Sequence, residues 1–207
     1  MKALQAQISP HFLYNTLDSI IWLAEGNQYE EVVSITRALS NFFRISLNRG
    51  SEWVNVHDEF KHVESYLTIQ KIRYRDILDY SIEYEQDMGN SAILKLLLQP
   101  LVENALYHGI KNKRGRGTIK VRGWREASCL RFSIEDNGIG MTEDQLGDIK
   151  KKLRAPAPDA VNAIYGLYNV NKRLELYYNL TELLEIKSVY KEGTTAILKV
   201  PEAYRGV

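Results

Sequence analysis

The amino-acid sequence predicts an α+β protein in which a helical N-terminal third precedes a domain of mixed helices and strands. Apolar residues recur at helical spacing as far as about residue 74, and alternating apolar and polar residues then take over. The 207 residues suffice for two modest domains. We therefore predict a helical domain over 1–74 and an α+β domain over 75–207.

Two helices joined by a short break open the chain. The first carries an apolar stripe of Leu13, Leu17, Ile20 and Ala24. Gly26 and Asn27 break this helix, and a second apolar stripe follows over 32–47. A lone helical hairpin cannot bury both stripes, so we expect two copies to pair into a four-helix bundle. A third helix is predicted over 58–74.

The second domain alternates strands with helices. Strands are predicted over 78–84, 119–121, 130–134, 184–188 and 196–200, and helices over 93–108 and 166–178. Short turns at 126–128 and 192–193 join two of the strand pairs into hairpins. The pattern predicts helices on one face of a mixed or antiparallel sheet.

Composition excludes several classes of protein. The net charge is +1, from 27 basic and 26 acidic residues, so nucleic acid is not expected as a partner. The single cysteine, Cys129, cannot form an internal disulfide, which favours a reducing compartment. Because no run approaches the roughly 18 apolar residues of a spanning helix, we expect a soluble, cytoplasmic chain.

The strongest candidate site follows a predicted strand, in the sequence Asp136-Asn137-Gly138-Ile139-Gly140-Met141. An aspartate at the end of a buried strand can accept a hydrogen bond from an exocyclic amine such as that of adenine. The glycines let the backbone turn tightly and approach a ligand. The alternative is an ordinary Asp-Asn-Gly turn.

Three further candidates lie on the predicted helices and the last hairpin. Asn104 and His108, at i and i+4, share a helix face, and a carboxamide oxygen suits Mg²⁺. Alternatively, Asn104 caps a kink at Pro100 and His108 is a surface histidine. Gly166 opens a helix, where unpaired N–H groups favour phosphate. Glu192-Gly193-Thr194-Thr195 has a simple turn as its alternative.

Taken in order, these segments resemble a known family. QPLVENALYHG, DNGIGM, YGLYNVNKRL and EGTT resemble the N, G1, G2 and G3 boxes of the Bergerat-type ATPase fold. Histidine kinases, Hsp90-like chaperones, MutL-type repair proteins and type II topoisomerases share that fold. LQAQISPHFLYNTLDSI is similar to the phosphoacceptor region of LytS/YesM-like sensor histidine kinases. The resemblance covers essentially the whole chain.

The resemblance implies ATP and Mg²⁺ as cofactors. Asn104 would ligate Mg²⁺, Asp136 would bind the adenine amine, and residues 141–165 would form a lid over ATP. The residues implied in cofactor binding are Asn104, His108, Asp136, Gly138, Gly140, Gly166, Gly193 and Thr194. Within the lid, Thr142 and Gln145 fit a capping box. The lysines at 150–152 are candidates for a phosphate contact, but a solvated helix face is favoured.

His11 would be the nucleophile that accepts a phosphoryl group. It belongs to a predicted polar stripe of Gln7, His11, Asn15 and Asp18. Pro10 should kink the helix just before it. Neutral imidazole is a competent nucleophile near neutral pH. The alternative is a surface histidine in an interaction helix; His57 and His62 are expected to be structural or solvent-facing.

The sequence departs from the family pattern at four positions. Phe12 stands where many histidine kinases carry an acidic residue, so the general base is unassigned, with Asn15 or Asp18 able to orient His11. Lys191 and Ile164 stand where glycines are usual. Tyr107 stands where a lysine is frequent, which leaves Lys111 or Arg173 as sources of phosphate-binding charge.

We therefore expect the kinase core of a two-component sensor, with His11, Asn15 and Glu103 as its catalytic residues. The core would form a homodimer and pass its phosphoryl group to an aspartate of a response-regulator receiver domain. Missing upstream segments would anchor this cytoplasmic portion to the plasma membrane. The alternative is a nucleotide-binding regulator of the same fold that does not phosphorylate itself. An ATP-driven clamp lacks support because nothing resembles the additional domains of such proteins.

Overall fold

The structure is a computed structural model that describes residues 10–47, 52–154 and 165–202. Four sequence predictions lie outside these ranges. They concern Gln7, the kink before Pro10, Ile164, and the lid residues 155–164.

Three long helices form the N-terminal part, α1 (Pro10–Glu25), α2 (Tyr29–Ser46) and α3 (Val56–Arg73). Asn27 takes a φ of 57°, a left-handed conformation that ends α1 and returns the chain along α2. At the start of α3, the Asn55 side chain accepts the Asp58 N–H at 2.7 Å, a standard N-cap. The predicted helical hairpin and third helix are confirmed.

The predicted apolar stripe of α1 is only partly covered within the single chain. Leu17 is 42% exposed and Ala24 is exposed, whereas Phe12, Thr16 and Leu23 are buried. Within the chain, α1 packs on α2 and α3, with Phe12 against Phe42 and Tyr66. The exposed part of the stripe agrees with the expectation that a lone hairpin cannot bury both of its apolar stripes.

A five-stranded mixed sheet forms the second part. Its strands are β2 (Leu78–Tyr84), β4 (Gly117–Glu126), β5 (Cys129–Asp136), β6 (Leu184–Val189) and β7 (Gly193–Pro201). They lie in the order β2-β4-β5-β7-β6. Only β2 and β4 are parallel, and the other neighbours are antiparallel. A separate pair joins β1 (Trp53–Asn55) to β3 (Ala92–Leu94). The predicted mixed sheet is confirmed.

Three helices accompany the sheet, α4 (Gln99–Asn104), α5 (Glu143–Arg154) and α6 (Tyr165–Tyr178). The predicted helix over 93–108 is wrong in its first part, because β3 pairs there with β1 and Leu96 has a φ of 58°. The error arises because the periodicity of a short apolar run does not distinguish a buried strand from a buried helix. After Asn104 the helix continues as a π-helical turn over Ala105–Ile110.

Candidate active site

A cavity of about 440 Å³ lies between α4, α5 and the sheet. Five of the eight residues implied in cofactor binding line it: Asn104, His108, Asp136, Gly140 and Thr194. Apolar side chains, among them Leu101, Ile134 and Leu167, complete its walls. An apolar cavity with a few convergent polar groups has the character of a small-molecule site.

Asp136 is the buried acid of this cavity. It is the last residue of β5, is 5% exposed, and accepts the Gly138 N–H on Oδ1 at 2.8 Å. Burial raises the pKa of its carboxyl group to about 6, against the opposing effect of the backbone hydrogen bonds. The position therefore offers a hydrogen-bond acceptor at the cavity wall, as the sequence predicts.

Two glycines allow the loop after β5 to meet the hairpin between β6 and β7. Gly140 has a φ of 60°, and an added Cβ would lie 1.9 Å from the Val189 carbonyl oxygen. Gly193 has a φ of 134°, and its Cβ would lie 1.9 Å from the Asp136 carbonyl oxygen. Lys191, at the position where a glycine is usual, takes a φ of 67° and donates its N–H to the Ile139 oxygen at 2.6 Å. The hairpin is thus built without that glycine.

Asn104 and His108 both line the cavity, as expected for residues one helical turn apart. The Asn104 Nδ2 atom donates to the Pro100 carbonyl oxygen at 2.8 Å, which leaves its carboxamide oxygen as the atom suited to a hard cation. Gly166, at the start of α6, would place a Cβ 3.6 Å from the same Nδ2 atom. The segments carrying Asn104 and Gly166 therefore meet. The adjacent π-helical turn is a feature frequent at functional sites.

Glu103 does not line the cavity. Its Oε1 atom accepts a hydrogen bond from Gln99 Nε2 at 2.8 Å, and burial raises the pKa of its carboxyl group. The carboxyl group interacts electrostatically with the buried Tyr66 of α3. It therefore faces the helical part of the molecule. Gly138, Gly166 and Gly193 do not line the cavity either.

Lys152 lines the cavity and is also exposed, so the solvated helix face favoured for 150–152 borders the candidate site. A single face of α5 lines the cavity, through Gln145, Asp148, Ile149 and Lys152. The spacing i, i+3, i+4, i+7 after the capping box was the available signal. That capping box is confirmed: the Thr142 N–H donates to Gln145 Oε1 at 2.9 Å, and the Gln145 N–H to Thr142 Oγ1 at 3.3 Å.

The two cations considered from the sequence lie elsewhere. Lys111 Nζ donates to the Tyr74 hydroxyl at 3.1 Å and lies over the Tyr74 ring. Arg173 pairs with Glu52 at 3.5 Å. Neither lines the cavity. Lys152 therefore replaces them as the candidate for binding phosphate.

His11 is exposed in the first turn of α1. The Asn15 Nδ2 atom lies 3.0 Å from His11 Nδ1 and 2.9 Å from Nε2, so the amide contacts the imidazole from one turn away. Asp18 is exposed, and His11 does not line the cavity. The structure thus brings Asn15 to His11 and leaves the pair separate from the cavity residues.

The other two histidines examined from the sequence have structural surroundings, as expected. His62 is fully buried, its ring stacks on Phe42 at 4.5 Å, and burial lowers its pKa to about 4. His57 is exposed and hydrogen-bonds the Tyr84 hydroxyl at 2.7 Å. Neither adjoins the cavity.

The fold and the cavity place the chain in a class of ATPase domains. The family described as histidine kinase-, DNA gyrase B-, and HSP90-like ATPase matches residues 89–204. The family described as histidine kinase matches residues 1–78. The chain therefore belongs to the histidine kinases, and it is of the LytS/YesM type.

The chain is also similar to curated sensor proteins. The chain is 32% identical to the sensor histidine kinase YesM of Bacillus subtilis, over 97% of this chain and 33% of that protein. It is 29% identical to the sensor protein LytS of Bacillus cereus, over 98% of this chain and 34% of that protein. The chain thus spans about a third of the length of these curated relatives. No helix in the described part of the chain is long and apolar enough to cross a membrane.

Solved structures show the same fold. The histidine kinase domain of a blue-light activated histidine kinase from Erythrobacter litoralis superposes with a TM-score of 0.53 at 15% identity. The match covers 97% of this chain and 92% of that one. The catalytic domain of the histidine kinase ThkA gives a TM-score of 0.56 at 16% identity, over 73% of this chain and 99% of that one.

Proposed function

We propose that this chain is the core of a sensor histidine kinase that transfers the γ-phosphoryl group of ATP to His11. The observation that carries the proposal is the pairing, within one chain, of an exposed His11 held by Asn15 with a cavity whose wall contains the buried Asp136. A nucleotide-binding regulator would need the cavity but not the exposed histidine.

The cavity residues divide between the two ends of ATP. The Asp136 carboxylate accepts a hydrogen bond from the adenine amine, and the Lys152 ammonium binds the phosphates. The Asn104 carboxamide oxygen ligates Mg²⁺, which neutralises charge on the phosphates when it is bound. The backbone around the cavity is shaped by Gly138, Gly166, Gly193 and Thr194. His108 lies on the same helix face as Asn104.

The transfer needs a neutral imidazole in line with the γ-phosphorus. One ring nitrogen attacks, the bond from phosphorus to the bridging oxygen of ADP breaks, and the proton on the other ring nitrogen becomes acidic. Asn15 holds the ring from one turn away and must release the lone pair of the attacking nitrogen, and it cannot take the proton because an amide is not a base. Solvent takes that role at the exposed His11.

Since His11 does not line the cavity, transfer requires either that the ATPase part move relative to the helical part until the cavity meets His11, or that the cavity belong to a second copy. We propose a division between them at Tyr74, where α3 gives way to the sheet. Residues on α1 that the single chain leaves more than two-fifths exposed favour a dimer through the hairpin: Tyr14, Leu17, Ile21 and Trp22. Phosphohistidine would then pass its phosphoryl group to an aspartate of a response-regulator receiver domain, as part of a protein that reaches the membrane through further segments.

Incubation of the chain with γ-labelled Mg-ATP tests the proposal. We expect an acid-labile, base-stable label that disappears in His11→Ala. His57→Ala is the matched control, because His57 is also an exposed histidine but lies away from α1. A chain that binds ATP without acquiring label would support the nucleotide-binding regulator instead.

A further inference from the structure

Glu59 is a fully buried carboxylate on α3 that lies outside the cavity. Its Oε2 atom accepts the Leu96 N–H at 2.8 Å, and its Oε1 atom accepts the Leu98 N–H at 2.9 Å. Burial raises the pKa of this carboxyl group, while the backbone N–H groups oppose the rise. A buried carboxylate is costly unless such donors compensate it, so the arrangement calls for an explanation.

The backbone at 96–98 forms a concave anion site around this carboxylate. Leu96 has a left-handed φ of 58°, a conformation that leucine rarely adopts, and Leu98 is in the right-handed helical region. The N–H groups of Leu96, Leu97 and Leu98 all interact with Glu59. An anion supplied by α3 therefore stabilises a turn that leucine alone disfavours.

That turn is the start of the helix that carries Asn104. Leu98 is the N-cap residue of α4, and its carbonyl oxygen accepts the N–H groups of Leu101 and Val102 at 3.1 Å each. Leucine has no side-chain acceptor with which to cap the helix. Glu59, on another helix, accepts the N–H groups of Leu96 and Leu98 and places negative charge at the positive end of α4.

Helix α6, which also lies beside Asn104, interacts electrostatically with Glu59. Arg173 of α6 attracts the Glu59 carboxylate electrostatically and pairs with Glu52. The first turn of α6 contains Gly166, which lies close to Asn104. The helix that carries Asn104 and the helix beside it, α6, thus both interact with the buried Glu59 carboxylate.

We propose that Glu59 is a positioning residue that sets the place of Asn104, and through it the affinity for the metal–nucleotide complex. The inference rests on the proposed function of Asn104 as the Mg²⁺ ligand. Glu59 touches no ligand itself. Its effect passes through the 96–98 turn and the six residues of α4.

Calorimetric titration with ADP, in Mg²⁺ or in a chelator, tests this inference on Glu59→Gln. The variant keeps the size of the side chain but has one acceptor oxygen in place of two. We expect affinity for Mg-ADP to fall by about tenfold and affinity for metal-free ADP by less than about threefold. Asn104→Ala should show the same dependence on metal.

Val63→Ala is the matched control, because Val63 is fully buried one turn further along α3. It should lower the melting temperature and leave both affinities within about twofold. If Glu59→Gln does not fold, Glu59→Asp, which keeps the charge on a shorter side chain, should show the same metal-dependent loss to a smaller extent.

The outcomes separate the two proposals. Equal losses with and without Mg²⁺, or a lower melting temperature with unchanged affinities, would overturn the positioning role while leaving the proposed function intact. A wild-type chain that binds neither form of ADP would overturn the proposed function and this inference together.

Discussion

The Phe12 ring stacks on the Tyr66 ring with their centroids 5.5 Å apart. Phe12 follows His11 directly and also packs on Phe42 at a centroid distance of 5.0 Å. The position at which many histidine kinases carry an acidic residue is therefore filled here by an aromatic anchor, 7% exposed, that joins α1 to α3. His11 is presented to solvent because its neighbour is held in the core.

Replacing Phe12 with an acidic residue should impair the protein rather than supply a base. Phe12→Glu removes the packing of a buried ring and buries a charge, so we expect the free energy of unfolding to fall by at least about 3 kcal/mol. Autophosphorylation should fall as well, because α1 loses its anchor. Denaturant unfolding and label incorporation measure the two effects. Phe12→Leu should retain most of both, and faster labelling of Phe12→Glu would contradict the anchor.

Asn15 should affect the rate of transfer and not the binding of ATP. Asn15→Ala removes the amide that holds the His11 ring, so we expect kcat for autophosphorylation to fall by about tenfold with KM for ATP unchanged. Ser19→Ala is the control, since its hydroxyl bonds only the Asn15 carbonyl oxygen on the same helix. A rise in KM would place Asn15 in nucleotide binding instead.

Lys152 should be the lysine of α5 that binds phosphate. Lys152→Ala is expected to raise KM for ATP by roughly tenfold, because a charge-assisted hydrogen bond to phosphate is lost. Lys150→Ala changes the same charge on the same helix but away from the cavity, so its KM should stay within about twofold. Equal effects of the two variants would indicate a general electrostatic attraction rather than a contact.

Sequence patterns predict the surroundings of Asp136 well, for a physical reason. The strand before it and the glycines after it are local features, and β5 and its turn follow from alternation and from residues that tolerate left-handed φ. The shared face of Asn104 and His108 follows in the same way from helical spacing.

What the patterns miss depends on contacts between distant segments. The turn at Leu96 exists because Glu59, 37 residues earlier, supplies a carboxylate. The burial of Phe12 in place of Leu17 depends on where α3 lies, which spacing along α1 cannot reveal. The spacing within α5 marks the face that carries Lys152, but the packing of α5 against β6, which turns this face to the cavity, is not encoded in the segment itself.

Nucleotide affinity should fall in acid because of Asp136. Its pKa of about 6 lies above the ordinary range, so the free chain takes up a proton as the pH falls through 6, and the protonated group is a poor acceptor for the adenine amine. Affinity should be constant above about pH 7 and weaken by about tenfold for each pH unit below 6. Asp136→Asn should bind weakly with a flatter profile, because only the titration of the nucleotide remains. If nucleotide affinity depended on pH in the same way in the wild type and in Asp136→Asn, Asp136 would not be the group whose titration controls binding.

Two glycines near the cavity should respond in opposite ways to the same substitution. Gly140→Ala places a methyl group 1.9 Å from the Val189 carbonyl oxygen at a φ of 60°, so the loop and the hairpin must separate. We expect nucleotide binding to be lost and the free energy of unfolding to fall by about 2 kcal/mol or more.

The methyl group added by Gly147→Ala on α5 meets no atom within 4 Å. Because alanine is the better helix former, it should stabilise α5 by up to about 1 kcal/mol and preserve binding. Thermal unfolding with and without Mg-ADP measures both effects, and normal binding by Gly140→Ala would show that the close approach of the two loops is not required.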